Sequence, residues 1–94
     1  MTKILVDSTV VVADDVVSCD LDGEAAILNL KDGVYYGLDL IGAKIWNLIQ
    51  KPSTIYDIVE KIYEEYDVEK DRCEYDIIEL IEELLNNGLV KVNE

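Results

Sequence analysis

The side chains available for chemistry are unevenly supplied. The 94 residues include 21 Asp and Glu, 8 Lys and Arg, two cysteines and no histidine. The commonest general base and the commonest metal ligand are therefore both missing. A serine or cysteine nucleophile would have no imidazole to activate it. Cys19 and Cys73 stand far apart, form no CxxC, and have no third or fourth partner with which to hold zinc or an iron–sulfur cluster. They are expected to be reduced, buried thiols, pairing only if the fold brings them together. The adjacent carboxylates Asp14-Asp15, Glu64-Glu65 and Glu82-Glu83 read as solvated surface, because acid–base catalysis needs one carboxyl buried enough to keep its proton. Phosphate loops, GxGxxG turns and GxSxG elbows are absent. Asp20-Leu21-Asp22-Gly23 is only a fragment of a calcium-loop frame, and a hairpin already explains it. The expectation is a non-enzyme with no cofactor and no metal.

Charge narrows the partners. A net charge of −13 argues against nucleic acid, whose binding relies on cationic side chains releasing phosphate counterions. It favours a cationic or neutral partner. Half the residues are hydrophobic and 31% are charged, a globular balance, and the length suits one domain spanning residues 1–94. The apolar run after Met1 ends at Asp7, too short for a signal peptide. No run approaches the ~20 residues that cross a bilayer. A soluble, cytoplasmic protein without a membrane partner is expected.

The elements that must position any site change character near residue 38. Val17, Cys19 and Leu21 alternate with Ser18 and Asp20 as in a half-buried strand. Asp22-Gly23 then suits a tight turn, Ala25 to Leu30 a second strand, Lys31-Asp32-Gly33 a second turn, and Val34 to Leu38 a third strand. This predicts a three-stranded antiparallel meander. Residues 4–12 are β-prone without an assigned place. From Asp39 the period is helical. Asp39 caps a helix bearing Ile41, Ile45, Leu48 and Ile49, Pro52 ends it, and Ser53 or Thr54 caps a second with Ile55, Ile58, Val59, Ile62 and Tyr66 on one face. Asp71 opens a third helix that Asn87-Gly88 stops, and residues 89–92 form a closing strand or wing. The fold class is α+β, a three-stranded antiparallel sheet followed by a three-helix, winged-helix-like bundle.

The third helix has an unusually wide apolar arc. Projected at 100° per residue, Cys73, Ile77, Leu80 and Leu84 fall within about 60° of one another, and Ile78, Ile81 and Leu85 widen the stripe to roughly 160°. Two readings are open: a central helix with both flanks buried, or one flank in the core and the other lining a groove. Asp76, Glu79 and Glu83 border one side of the arc, Glu74 and Glu82 the other. The third strand offers the other wall, because one side of it is unpaired unless the N-terminal segment covers it. An open edge beside an apolar helix can receive an extended peptide as an added strand. In that strand Tyr35 and Tyr36 should divide into one core and one surface ring, and Gly37 would allow close backbone approach.

The run Asn29-Leu30-Lys31-Asp32-Gly33-Val34-Tyr35-Tyr36-Gly37-Leu38-Asp39 and the Ile45-Trp46-Asn47-Leu48 segment resemble the PqqD family. Asp76 to Leu84 and Gly88-Leu89-Val90 resemble its closing helix and wing, so the likeness covers roughly residues 10–92. The wording is most similar to the discrete leader-binding proteins of lasso-peptide pathways. The resemblance implies a RiPP recognition element, a non-catalytic binder of the leader of a ribosomally synthesised precursor peptide. Its partners would be that leader and a modifying enzyme such as a leader peptidase, or a radical-SAM enzyme in the quinone pathway. The family role falls on Val34, Tyr35, Tyr36, Gly37 and Leu38 for the strand and on Cys73, Asp76, Ile77, Leu80, Glu83 and Leu84 for the helix, with the 78/81/85 flank as the alternative. Asp76 and Glu83 would pair with leader Lys or Arg. A DNA-binding winged helix is opposed by the charge, and the third helix contains Arg72 but no basic face. A general adaptor using the same groove is the remaining alternative.

Overall fold

The computed structural model describes residues 4–93; residues 1–3, where the N-terminal reading begins, and residue 94 lie outside it. In order the elements are β1 (Thr9–Val12), β2 (Val16–Leu21), β3 (Glu24–Asn29), β4 (Tyr35–Leu38), α1 (Leu40–Leu48), β5 (Ser53–Thr54), α2 (Ile55–Glu65), α3 (Lys70–Asn86) and β6 (Val90–Asn93). Asp22 and Gly23 join β2 to β3 with φ of 56° and 91°, the left-handed pair that a two-residue hairpin turn demands. Asp20 Oδ1 accepts from the Gly23 amide at 3.1 Å. A Cβ on Gly23 would meet the exposed, movable tip of Leu40 at 2.8 Å, so it is the positive φ that calls for glycine here.

The meander pairs antiparallel in the order β2-β3-β4. Its apolar alternation in β2 is real but faces outward. Val17, Cys19 and Leu21 are exposed on one side, while Val16, Ser18 and Asp20 share the face of the buried Asn29, Ile27 and Ala25 with which they pair, although Ser18 and Asp20 are themselves exposed at this edge of the sheet. The reason is Trp46, whose buried indole donates through Nε1 to Ser18 Oγ at 3.0 Å. The exposed Ser18 is thereby held on the Trp46 side of the strand, and the strand register puts Cys19 on the opposite face. The expectation of two buried thiols is corrected: both cysteines are free, Cys73 buried and Cys19 exposed.

The segment left unplaced by the sequence pattern becomes the centre of a second sheet. β1 pairs antiparallel with β6 through Val10↔Val92 and with β5 through Val10↔Ser53, giving the order β5-β1-β6. The α+β class stands, but the single sheet becomes two, and the closing strand is paired with the N-terminal one. Val10 is fully buried, which explains why that pairing is favourable despite its long loop closure.

Local rules account for the helix starts. Asp39 Oδ1 accepts from the Gly42 amide at 2.8 Å, and Thr54 Oγ1 accepts from Asp57 at 3.1 Å. α3 starts at Lys70, one residue before the expected Asp71, with Glu69 at its N-cap and no side-chain cap. It ends at Asn87, followed by Gly88 at φ 72°. Trp46, Ile27, Ile45, Ile58, Ile81 and Leu84 are among the fully buried side chains that weld helices to sheets. Among the described residues no helix is long and apolar enough to cross a membrane.

Candidate functional site

Because β1 pairs with β5 and β6, it does not cover the meander. β4 pairs with β3 on one side and, among the described residues, with no strand on the other. Its free edge faces α3. The spacing between the two is set partly by Asn29, a buried amide on the inward face of β3. Its Nδ2 donates to the Asn87 carbonyl at 3.2 Å, and its Oδ1 accepts from the Lys31 amide at 2.9 Å. The hairpin before β4 is thus tied to the C-terminus of α3. Sequence reasoning missed this role, although an amide at the third inward position after Ala25 and Ile27 was a signal.

α3 presents Asp76, Leu80, Glu83 and Asn87 toward β4, a stripe at i, i+4, i+7 and i+11. Two cavities lie along the edge. One, of about 370 Å³, is lined by Tyr36, Gly37 and Leu38 on the strand, Ile41 and Ile45 on α1, and Asp76 and Leu80 on α3. The other, of about 360 Å³, lies between Val34 and Tyr36 on one side and Asn86 and Asn87 on the other, with Lys31 at its mouth. The first has an apolar floor and an acidic rim; the second sets Val34, Tyr36 and Leu89 beside Asn29, Asn86 and Asn87.

The expected site residues divide accordingly. Val34, Tyr36, Gly37, Leu38, Asp76, Leu80 and Glu83 are brought together along the groove. Tyr35 points the opposite way and is 72% exposed, so the two tyrosines divide as alternation predicts, though the inward ring reaches the groove. Cys73, Ile77 and Leu84, at 5%, 3% and 0% exposure, lie in the core beneath the groove and line neither cavity. Ile78, Ile81 and Leu85 also pack against the core. The wide arc therefore reflects a helix buried on most of its inner side, with Leu80 at the groove. Gly37 has open space where a Cβ would stand, so crowding does not explain it. Ile41 and Ile45 were read as helix core and not as cavity lining.

Electrostatics mark the middle of the groove. Burial, then the nearby Glu83 carboxylate, pushes Tyr36 up to about 12. Burial, and after it the neighbouring Asp76 charge, raises the Cys73 thiol, which suits an inert core sulfur. Asp76 itself lies 3.6 Å from Arg72 on the exposed face of α3.

Two further surfaces bear on function. A larger cleft of about 490 Å³ lies at the other edge of the meander, between β2 and α1. Three of its polar side chains are already engaged: Ser18 by Trp46, Asp20 by the Gly23 turn and Lys44 by Glu65. Size alone does not make it the site. The outer face of the meander carries two uncharged rows, Val17–Leu28–Tyr35 and Cys19–Ala26–Gly37. Exposed carboxylates stand at both ends, Asp15 and Asp32 at one and Asp22 and Glu24 at the other.

Comparisons with known proteins agree with this geometry. The description "Coenzyme PQQ synthesis protein D (PqqD)" fits residues 24–90. The solved structure of TbiB1 in complex with the TbiA(beta) leader peptide is similar at 34% identity and a TM-score of 0.82, over 86% of this chain and 94% of that one. Lasso peptide synthetase B1 complexed with the leader peptide is similar in fold, with 23% identity and a TM-score of 0.78 over 87% of this chain and 96% of that one. No curated protein sequence is a significant match. With more than half its length matched to the family, and with a relative of this identity sharing the fold nearly end to end, the chain belongs to the PqqD family.

Proposed function

We propose that this chain binds the leader segment of a ribosomally synthesised precursor peptide as a strand added to β4, and that it does so as a recognition element without catalysis. The observation that carries this reading is the unpaired edge of β4 facing an open groove with an apolar floor. Main-chain hydrogen bonds along that edge supply affinity with little sequence preference, and the cavities supply specificity. The similar protein TbiB1 has been solved with a leader peptide bound, which favours the same class of ligand here. Burying one large apolar side chain on Leu80 and its neighbours is worth about 1.5–3 kcal/mol, enough to select a sequence once the edge is paired.

A leader reader must also hand its cargo on. The uncharged outer face of the meander, with Val17, Leu21 and Tyr35 exposed and carboxylates at both ends, suits a modifying enzyme with an apolar patch and a basic rim. A lasso-type leader peptidase is the partner this reading favours. Like charges at the rim oppose a second copy of this chain on the same face.

The test is a titration of the purified protein with the leader of the precursor peptide encoded beside its gene, read by calorimetry and by amide exchange. Binding should slow exchange at residues 35–38. Leu80→Asp should weaken binding by several kcal/mol if the groove is dry when filled, while Glu79→Ala should shift it by well under about one. Unchanged exchange in β4 on saturation, or a folded Leu80→Asp that binds like the parent, would overturn the assignment.

A further inference from the structure

Tyr36 is the one described side chain that lines both cavities beside β4. It holds the inward middle position of the strand, paired with Ile27. Glu83 on α3 lies near enough to act on its hydroxyl, and the ring, which touches both cavities, stands as the partition between them. The compartments on either side are nearly equal, about 370 and 360 Å³. With water occupying about 30 Å³ per molecule, each has room for a large side chain.

We infer that Tyr36 is a size gauge for the bound strand: the ligand residue opposite it must be small, and the residues two positions before and after it must be bulky. This rests on the leader-binding reading and specifies which leaders qualify. Strand geometry supplies the reason. In a strand paired with β4, the residues opposite Val34, Tyr36 and Leu38 all point to the same face. Directly opposed Cβ atoms lie only about 4.5–5.5 Å apart, and the Tyr36 ring already takes up the space between the two cavities, so a long side chain opposite it has no compartment to enter, while neighbours at ±2 do. The chemistry of the compartments differs. Ile41 and Leu80 at the Leu38 end call for an apolar side chain. Asn86 and Asn87 at the Val34 end accept one that can hydrogen-bond.

The experiment is a positional scan of the leader encoded beside this chain's gene, each residue replaced in turn by Gly, Ala and Leu. Dissociation constants are measured with the parent, Tyr36→Ala and Glu83→Ala, and folding is checked by circular dichroism. In the parent, one position should bind Leu about tenfold or more worse than Gly, the scale of overpacking a filled site. Truncation to Ala two residues to either side of it should weaken binding as well. Tyr36→Ala should bring the Leu and Gly peptides within about threefold of each other. If Tyr36→Ala does not fold, Glu83→Ala carries the test. It alters an exposed residue, removes the carboxylate beside the hydroxyl, and should reduce the Leu penalty at least about threefold. A parent that binds the leader but shows no size-excluded position overturns the gauge alone, as does a penalty unchanged in the folded variants. A folded parent that binds none of the peptides overturns leader binding itself, and the gauge with it.

Discussion

Single side chains set the groove in two ways. Asn29 sets its width from beneath, by tying the hairpin to the Asn87 carbonyl. Tyr36 divides it from within. The second role carries a pH signature. Tyr36 holds its proton to about 12, above the ordinary value near 10. A folded-state value raised above the unfolded one contributes stability that is complete below about pH 10. That stability is lost as pH rises through about 12. Tyr36→Phe removes the hydroxyl and its interaction with the nearby Glu83 carboxylate, so it should cost about 1 kcal/mol near pH 8. The gap between parent and variant should then close above pH 10, because the parent alone forfeits the contribution. Thermal melts of the pair at pH 8, 10 and 11.5 measure it. A gap that stays constant across this range would mean that the hydroxyl is not held in the folded state as described.

At the scale of elements, what the sequence reveals depends on how local the cause is. The Asp22-Gly23 turn and the Asp39 and Thr54 caps are legible because each is closed within four residues. The start of α3 is less legible: Asp71 reads as its opener, yet the helix begins at Lys70 behind Glu69, a residue too long to serve its own N-cap well, and has no side-chain cap. Glu69→Ser should supply the absent hydrogen bond and raise stability by about 0.5–1 kcal/mol. Chemical denaturation would show this as a higher midpoint at unchanged slope, and no rise would mean that the first turn of α3 frays regardless. Long-range pairing is where legibility ends. Nothing in residues 9–12 names β5 and β6 as their partners, since those strands lie more than forty residues away. The outward turn of Val17, Cys19 and Leu21 follows from the tie between Ser18 and Trp46 across 28 residues. Helical periodicity located the stripe on α3 but could not say which rim β4 would face. That depends on Asn29 reaching Asn87.

At the scale of the whole molecule the relevant quantity is charge, fully legible in the sequence, and the fold decides where it acts. Residues 53–94 carry 4 basic and 13 acidic side chains, against 4 and 8 in residues 1–52. The more acidic half contains α3, which brings Asp76 and Glu83 to the groove. Two consequences of salt should therefore run in opposite directions. Self-repulsion among so many carboxylates destabilises the compact state, and screening relieves it, so the melting temperature should rise as salt is added. The same field should speed the approach of a basic leader, so the association rate should fall over the same range, in which the Debye length shrinks to about 8 Å at 0.15 M. Melts and stopped-flow association at 20, 150 and 500 mM sodium chloride give both slopes on one preparation. A melting temperature that falls with salt would mean that exposed ion pairs such as Lys91–Asp14, at 2.7 Å, outweigh the repulsion. A flat association rate would show that the acidic surface keeps the chain soluble without steering its ligand, leaving recognition to the β4 edge and the two compartments that Tyr36 divides.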